Sequence, residues 1–180
     1  MIGQPDVWVI LGDPEYHDVW HRFDQEFRFA PASDRQARPP WRVRPRHDVY
    51  DLGATTLMSD DERPKRIVRD AFVECLGTDE FMYVLDWQHT CFRYNPRIED
   101  RHVYPVFMPD ERYLGGGYNV YFPEFYPNGD YYFFLARDFR WGYLTHPWLH
   151  RAWVFGDPLR ELFHDHADEL GFVVVGGSRR

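Results

Sequence analysis

The sequence predicts an α+β fold: a mostly antiparallel sheet of about five to seven strands with three helices, mainly on one face. Two stretches with 3.6-residue apolar spacing and a third behind its own capping residue supply the helices. Short aromatic and β-branched runs parted by turn residues supply the strands. The links between most of those strands are too short for the crossovers that parallel pairing needs, so neighbours must run antiparallel. With 180 residues, inside the range of about 100 to 200 for one domain, the chain reads as a single α+β domain over residues 1–180.

The first helix takes Asp13 as its cap and Pro14 in its first turn. Tyr16, Val19, Trp20, Phe23 and Phe27 then give it an apolar stripe that is almost wholly aromatic. Residues 30–47, with Pro31, Pro39, Pro40 and Pro45 among five arginines, read as a surface loop ahead of a short strand at 48–52. Asp61 is the expected cap of the second helix, because a start at Ser59 would place Pro64 where a backbone hydrogen bond is lost. Val68, Ala71, Phe72, Cys75 and Leu76 form its inward face and Gly77 its end. Residues 81–94, free of Gly and Pro, read as one long strand covered on both faces.

Residues 96–118 read as irregular, and Gly115-Gly116-Gly117 as a flexible turn. A phosphate cradle there would need a helix after it, whereas Tyr118, Val120, Tyr121 and Phe122 have strand character. A hairpin of 120–126 with 131–137 about Pro127-Asn128-Gly129-Asp130 is expected next. Strands at 141–144 and 151–155, joined through His146-Pro147-Trp148, complete a meander. Asp157 and Pro158 open the third helix, with Leu159, Leu162, Phe163 and Leu170 inward and Gly171 at its end, and 172–175 is a last short strand.

Lys and Arg total 21 against 29 Asp and Glu, a net charge of −8. That balance sets aside nucleic acid and anionic membrane surfaces as partners. No run reaches the roughly 18 apolar residues of a membrane span, and no basic stretch precedes the first apolar residues, so the expected location is cytoplasmic. Cys75 and Cys91 belong to no Cys-x-x-Cys pair and read as buried thiols. Lys65 is the only lysine, hence the only Schiff-base candidate, and it sits in a charged turn. No Gly-x-Ser-x-Gly, Walker or dinucleotide fingerprint occurs, and Ser33, Ser59 and Ser178 lie in a Pro/Arg loop, a helix start and a tail. No cofactor is expected.

Three stretches carry a family resemblance: Asp86-Trp87-Gln88-His89, then Asn128 to Leu135 (NGDYYFFL), then His146-Pro147-Trp148 followed by Val154-Phe155-Gly156 and Leu159. With Glu15-Tyr16, Val19-Trp20 and Phe23 of the first helix, the chain resembles, from Val7 to Leu162, the bacterial proteins grouped as domain of unknown function 2716. The resemblance implies no activity and transfers no catalytic residue.

The candidate catalytic residues are Asp86, His89, Asp130 and His146. In a continuous strand Asp86 and His89 would point to opposite faces, which argues against a simple Asp-His pair. Asp130 and Asp138 bracket a strand and would stand some 25 Å apart at about 3.3 Å per residue, too far for paired carboxylates. Both read as turn residues. His146 and His150 are four apart, but Pro147 denies them the shared helix that makes such a pair a zinc signature, and His164 and His166 diverge on a helix. No metal site is therefore expected. Candidate binding residues are Trp87, Tyr131, Trp141, Tyr143, His146 and Trp148, aromatic anchors that would otherwise be core.

The expected function is a non-catalytic binding or interaction domain for a protein or small-molecule partner. An immunity-like protein that masks a basic surface is one form of it. The alternative is a small enzyme whose Asp and His groups converge in an aromatic-lined pocket. A deep pocket with several of them within hydrogen-bond reach would favour the enzyme, and a flat acidic, aromatic surface the binder.

Overall fold

The computed structural model describes residues 6–31, 38–53, 62–98 and 105–178. They form, in order, β1 (Trp8–Ile10), α1 (Asp13–Phe27), β2 (His47–Asp51), α2 (Arg63–Leu76), β3 (Met82–Asp86), β4 (Phe92–Tyr94) and β5 (Val106–Pro109). Then follow β6 (Gly117–Val120), β7 (Tyr132–Ala136), β8 (Gly142–His146), β9 (Arg151–Phe155), α3 (Asp157–Asp165), α4 (Ala167–Leu170) and β10 (Val173–Gly177). The fold is α+β. Eight strands make one sheet in the order β1-β4-β3-β7-β8-β9-β2-β10, every pairing antiparallel, and β5 and β6 form a separate two-stranded ribbon.

Strand alternation divides the core in two. Along β7, Tyr132, Phe134 and Ala136 face one side, where α2, α3 and α4 pack. Phe133 and Leu135 face the other, where α1 and Trp41 pack. Because both faces are covered, the central strands are buried throughout and give no polar alternation to read. Phe72 of α2 stacks on Phe134 at 5.5 Å and on Trp141 at 5.8 Å, and Phe23 of α1 stacks on Phe133 at 4.5 Å. Each such ring pair adds about 0.5–1.5 kcal/mol beyond the area it buries. Trp41, from the segment expected to be a surface loop, is in fact 4% exposed and plugs the α1 face.

The expected counts are corrected to eight strands plus two, with four helices among the described residues. The expected long strand at 81–94 is a hairpin of β3 and β4, turned at residues 87–90 without glycine or proline. Gln88 takes the positive φ instead, at 69°. The expected hairpin of 120–126 with 131–137 does not form: β6 ends at Val120 and pairs with β5, while β7 pairs with β3 and β8. Pro123 and Pro127 lack the N–H that a continued ladder would need. Of the turn expected at Gly115–Gly117, Gly115 and Gly116 close the β5–β6 connection at φ of 97° and 77°, while Gly117 already opens β6 opposite Pro109.

Helix starts shift by one residue. Gly12 and Gly156 are the N-caps of α1 and α3, and Asp13 and Asp157 sit inside the first turns, where their charge still complements the helix dipole. The third helix breaks at His166, giving the short α4 that Gly171 ends at φ 67°. Ser59 and Asp61 lie outside the described residues.

Candidate functional site

Asp86 is the last residue of β3, and the chain turns back directly after it. His89 N–H donates to the Asp86 carbonyl at 3.2 Å, Cys91 Sγ–H reaches the same oxygen at 3.7 Å, and Trp87 N–H donates to the Tyr131 carbonyl at 3.2 Å. Strand alternation therefore stops applying at residue 87. The turn carries His89 back over Asp86, and the opposite-face expectation fails for that reason. In the β3–β7 ladder Asp86 lies opposite Tyr132, so Asp130, two residues before Tyr132, arrives beside the same turn.

The three side chains meet at one nitrogen. His89 Nδ1 is 3.1 Å from Asp86 Oδ1 and 3.0 Å from Asp130 Oδ2. Asp130 Oδ1 accepts the Tyr131 N–H at 2.7 Å, which aims its other oxygen at the histidine. Asp138 plays no part in this pairing and binds Arg140 on the surface. Burial raises the Asp86 carboxyl well above the ordinary carboxylate range, against the contrary pull of His89. Burial raises Asp130 as well. It opposes charge on His89, but Asp86 and then Asp130 outweigh it and raise the imidazole.

The cluster stands in a cavity of about 960 Å³ between the first turns of α1, residues 118–124 and residues 128–132. Asp13, Tyr16 and His17 line it from α1, Tyr113 and Tyr118 from the β5–β6 ribbon, Tyr121 and Glu124 from the segment after it, and Tyr132 from the start of β7. Among the described residues no lysine or arginine lines it. Cys91 also borders the cavity, but burial pushes its thiol up to about 12.

The remaining candidates are placed elsewhere. His146 is fully buried on the α1 side of the sheet, with its ring 5.2 Å from that of Tyr131 and 5.8 Å from those of Trp41 and Trp148. Its Nδ1 accepts the Leu149 N–H at 3.3 Å, and its enclosed Nε2 has no partner in good hydrogen-bond geometry among the described residues. Burial pushes its pKa down to about 4, against a contrary pull from its own main chain and that of Arg38. Trp87, Tyr131 and Trp148 share this face. Trp141 and Tyr143 pack on the opposite face, where Trp141 Nε1–H donates to Cys75 O at 3.0 Å and the Tyr143 hydroxyl to Phe125 O at 2.7 Å. The six aromatic candidates thus lie on two sides of the sheet, and none of them lines the cavity.

Sequence patterns over residues 10–160 match the family described as "Protein of unknown function (DUF2716)". The chain belongs to that family. It is similar to the "Uncharacterized protein YxiI" of Bacillus subtilis (strain 168), with 30% identity over 166 residues that cover 86% of this chain and 90% of the relative. No solved structure matches. The family match spans Asp86, His89 and Asp130, so the cavity cluster lies within the shared region. Linear reading identified these three residues but not Asp13, Tyr16 or His17, which reach the site only because β1 and β4 bring the start of α1 beside the β3–β4 turn. No helix among the described residues is long and apolar enough to cross a membrane.

Proposed function

We propose that the protein binds a small, positively charged organic molecule in the cavity at the end of the sheet, as a cytoplasmic binding domain with no nucleic-acid or membrane partner. One observation carries this reading: Asp13, Asp86 and Asp130 line the cavity next to tyrosine rings, and among the described residues no lysine or arginine lines it, Lys65 standing outside the lining where it pairs with Glu124 at 3.6 Å. A cation gains from the carboxylates by charge and from ring faces within about 6 Å by roughly 0.5–2 kcal/mol each. The volume lies within the span of about 300–1,000 Å³ typical of small-molecule sites, and the convergence of Asp86, His89 and Asp130 within it supports a ligand pocket over a flat docking face.

A second reading, proton transfer on the bound molecule, draws on His89 standing between two carboxylates whose pKa values are raised. Groups so perturbed in a cleft suit general acid–base work.

Calorimetric titration with tetramethylammonium and with a linear diamine, against a dicarboxylate of similar size, tests the proposal. Saturable binding of the cations, weakened in Asp13→Asn and Tyr113→Ala, is the expected result. Preference for the dicarboxylate, or no saturable binding of either cation, would overturn it.

A further inference from the structure

We propose that Asp86, His89 and Asp130 form a binding site for one divalent transition-metal ion, held by Asp86 Oδ1, His89 Nδ1 and Asp130 Oδ2 and open to the cavity. The inference rests on the reading of the cavity as a cation site and names a second cation for its inner end. The three donor atoms come from separate points of the chain, a strand end, the turn after it and the loop before β7, and all lie within 4.8 Å of one another. An ion bound at about 2.0–2.2 Å sets neighbouring ligand atoms at right angles roughly 3 Å apart. The two nitrogen-to-oxygen separations, 3.1 and 3.0 Å, match that spacing.

The hydrogen-bond count leads to the same place. Imidazole Nδ1 carries at most one proton, yet it faces two carboxylate oxygens at equal range. One N–H cannot direct itself fully at both, whereas an ion displaced toward the cavity satisfies all three atoms. The outer contacts already hold the donors in place. Asp130 Oδ1 is occupied by the Tyr131 N–H, and the Asp86 carbonyl ties down the His89 main chain and the Cys91 thiol. Such outer contacts orient metal ligands. Asp86 is 7% exposed, so only a guest that comes through the cavity reaches the cluster's inner side.

The donor set, two carboxylate oxygens and one imidazole nitrogen without a thiolate, suits Mn²⁺, Fe²⁺ or Zn²⁺ rather than Cu⁺. Three protein ligands leave further positions open toward the cavity, the arrangement of sites that hold an exchangeable water or ligand. With two ionised aspartates and a neutral imidazole, a divalent ion brings the cluster to zero net charge. Asp13 then remains for an organic cation at the mouth.

The test is titration of chelator-treated, untagged protein with Mn²⁺, read by the loss of the free-ion paramagnetic resonance signal, and with Zn²⁺ by calorimetry. One equivalent per chain is expected, with affinity weakened at least about tenfold in His89→Ala and in Asp130→Asn. Asp138→Asn, which lies outside the cavity and pairs with Arg140 on the surface, should bind the metal as wild type. His89 is largely exposed, so its removal leaves a folded protein even if Asp130→Asn does not. Absence of saturable binding, or binding undiminished in His89→Ala, would overturn the proposal. A protein that takes tetramethylammonium or the diamine but neither metal loses the metal site and keeps the cavity reading; one that takes the metal but neither organic cation does the reverse.

Discussion

Thr145 Oγ1 closes the end of the β7–β8 ladder on Tyr132 by serving both of its main-chain groups, accepting the N–H at 3.2 Å and donating to the carbonyl at 2.9 Å. Thr145 is fully buried, and Tyr132 stands opposite Asp86 on the other side of β7. The threonine thus fixes the strand end from which Asp130 reaches the cluster. Thr145→Val keeps the shape and strands two buried backbone groups, at about 1–3 kcal/mol. Thr145→Ser, which retains the hydroxyl, should recover most of that. Urea denaturation of the three proteins checks it, and equal stability of the Val and Ser variants would show that the hydroxyl contributes nothing.

Gly129 and Gly156 share a positive φ, 90° and 87°, but differ in what surrounds them. A Cβ on Gly129 meets nothing within 4 Å, whereas one on Gly156 would strike the Trp141 side chain and lie 2.7 Å from the Arg140 carbonyl. Gly129→Ala should therefore cost only backbone strain, about 1 kcal/mol, and Gly156→Ala should add a clash and exceed about 3 kcal/mol. Melting temperatures of the two variants rank them. The reverse order would show that the α3 start moves to make room.

What could be read from the sequence follows from where information is local. The faces of α1 and α2, the strands expected at 141–144 and 151–155, the first of which runs on to His146, and the helix after Gly156 each announce themselves through spacing or turn residues in one short window. The expected irregular stretch at 96–118 hid β5 and the start of β6, because a two-stranded ribbon with little burial carries a weak apolar pattern. Gln88 hid the β3–β4 turn, since a non-glycine residue at φ 69° leaves no compositional mark. That single turn decided the site. With 81–94 drawn as one strand, Asp86 and His89 part company; with the turn in place, they meet, and the antiparallel register with β7 adds Asp130. The short Asp-to-His spacing at a strand end was the one signal available. The third partner, some forty residues on, was visible only through pairing.

The two cysteines give a chemical check on burial. Cys75 and Cys91 are free and buried, and burial pushes both thiols up to about 12. The nucleophile is the thiolate, so neither should compete with a solvent thiol near neutral pH even though Cys91 borders the cavity. Ellman's reagent should react with the native protein far more slowly than with the urea-unfolded chain, which should release two equivalents. Rapid release of one equivalent from the folded state would show Cys91 to be open to the cavity and ionisable.

Burial of His146 should make the fold sensitive to acid. Enclosed by Trp41, Tyr131, Trp148 and Trp153, with Arg151 opposing its charge and the Arg38 main chain on the favourable side, it stays neutral until about pH 4. In the unfolded chain it protonates near 6.5. Its folded pKa is the lower of the two, so its contribution is complete above about pH 6.5 and is lost as the pH falls toward 4, where the unfolded chain alone takes up the proton. Over that window wild type should lose on the order of 1–3 kcal/mol that a variant without the imidazole keeps. His146→Phe forfeits the Leu149 N–H contact and so starts less stable at pH 7.5, but its stability should fall less steeply down to pH 4.5. Urea midpoints of both proteins at half-unit steps across this range give the comparison, which cancels the titration of the carboxylates common to the two. Parallel curves would show that His146 is protonated as readily in the folded protein as in the unfolded one.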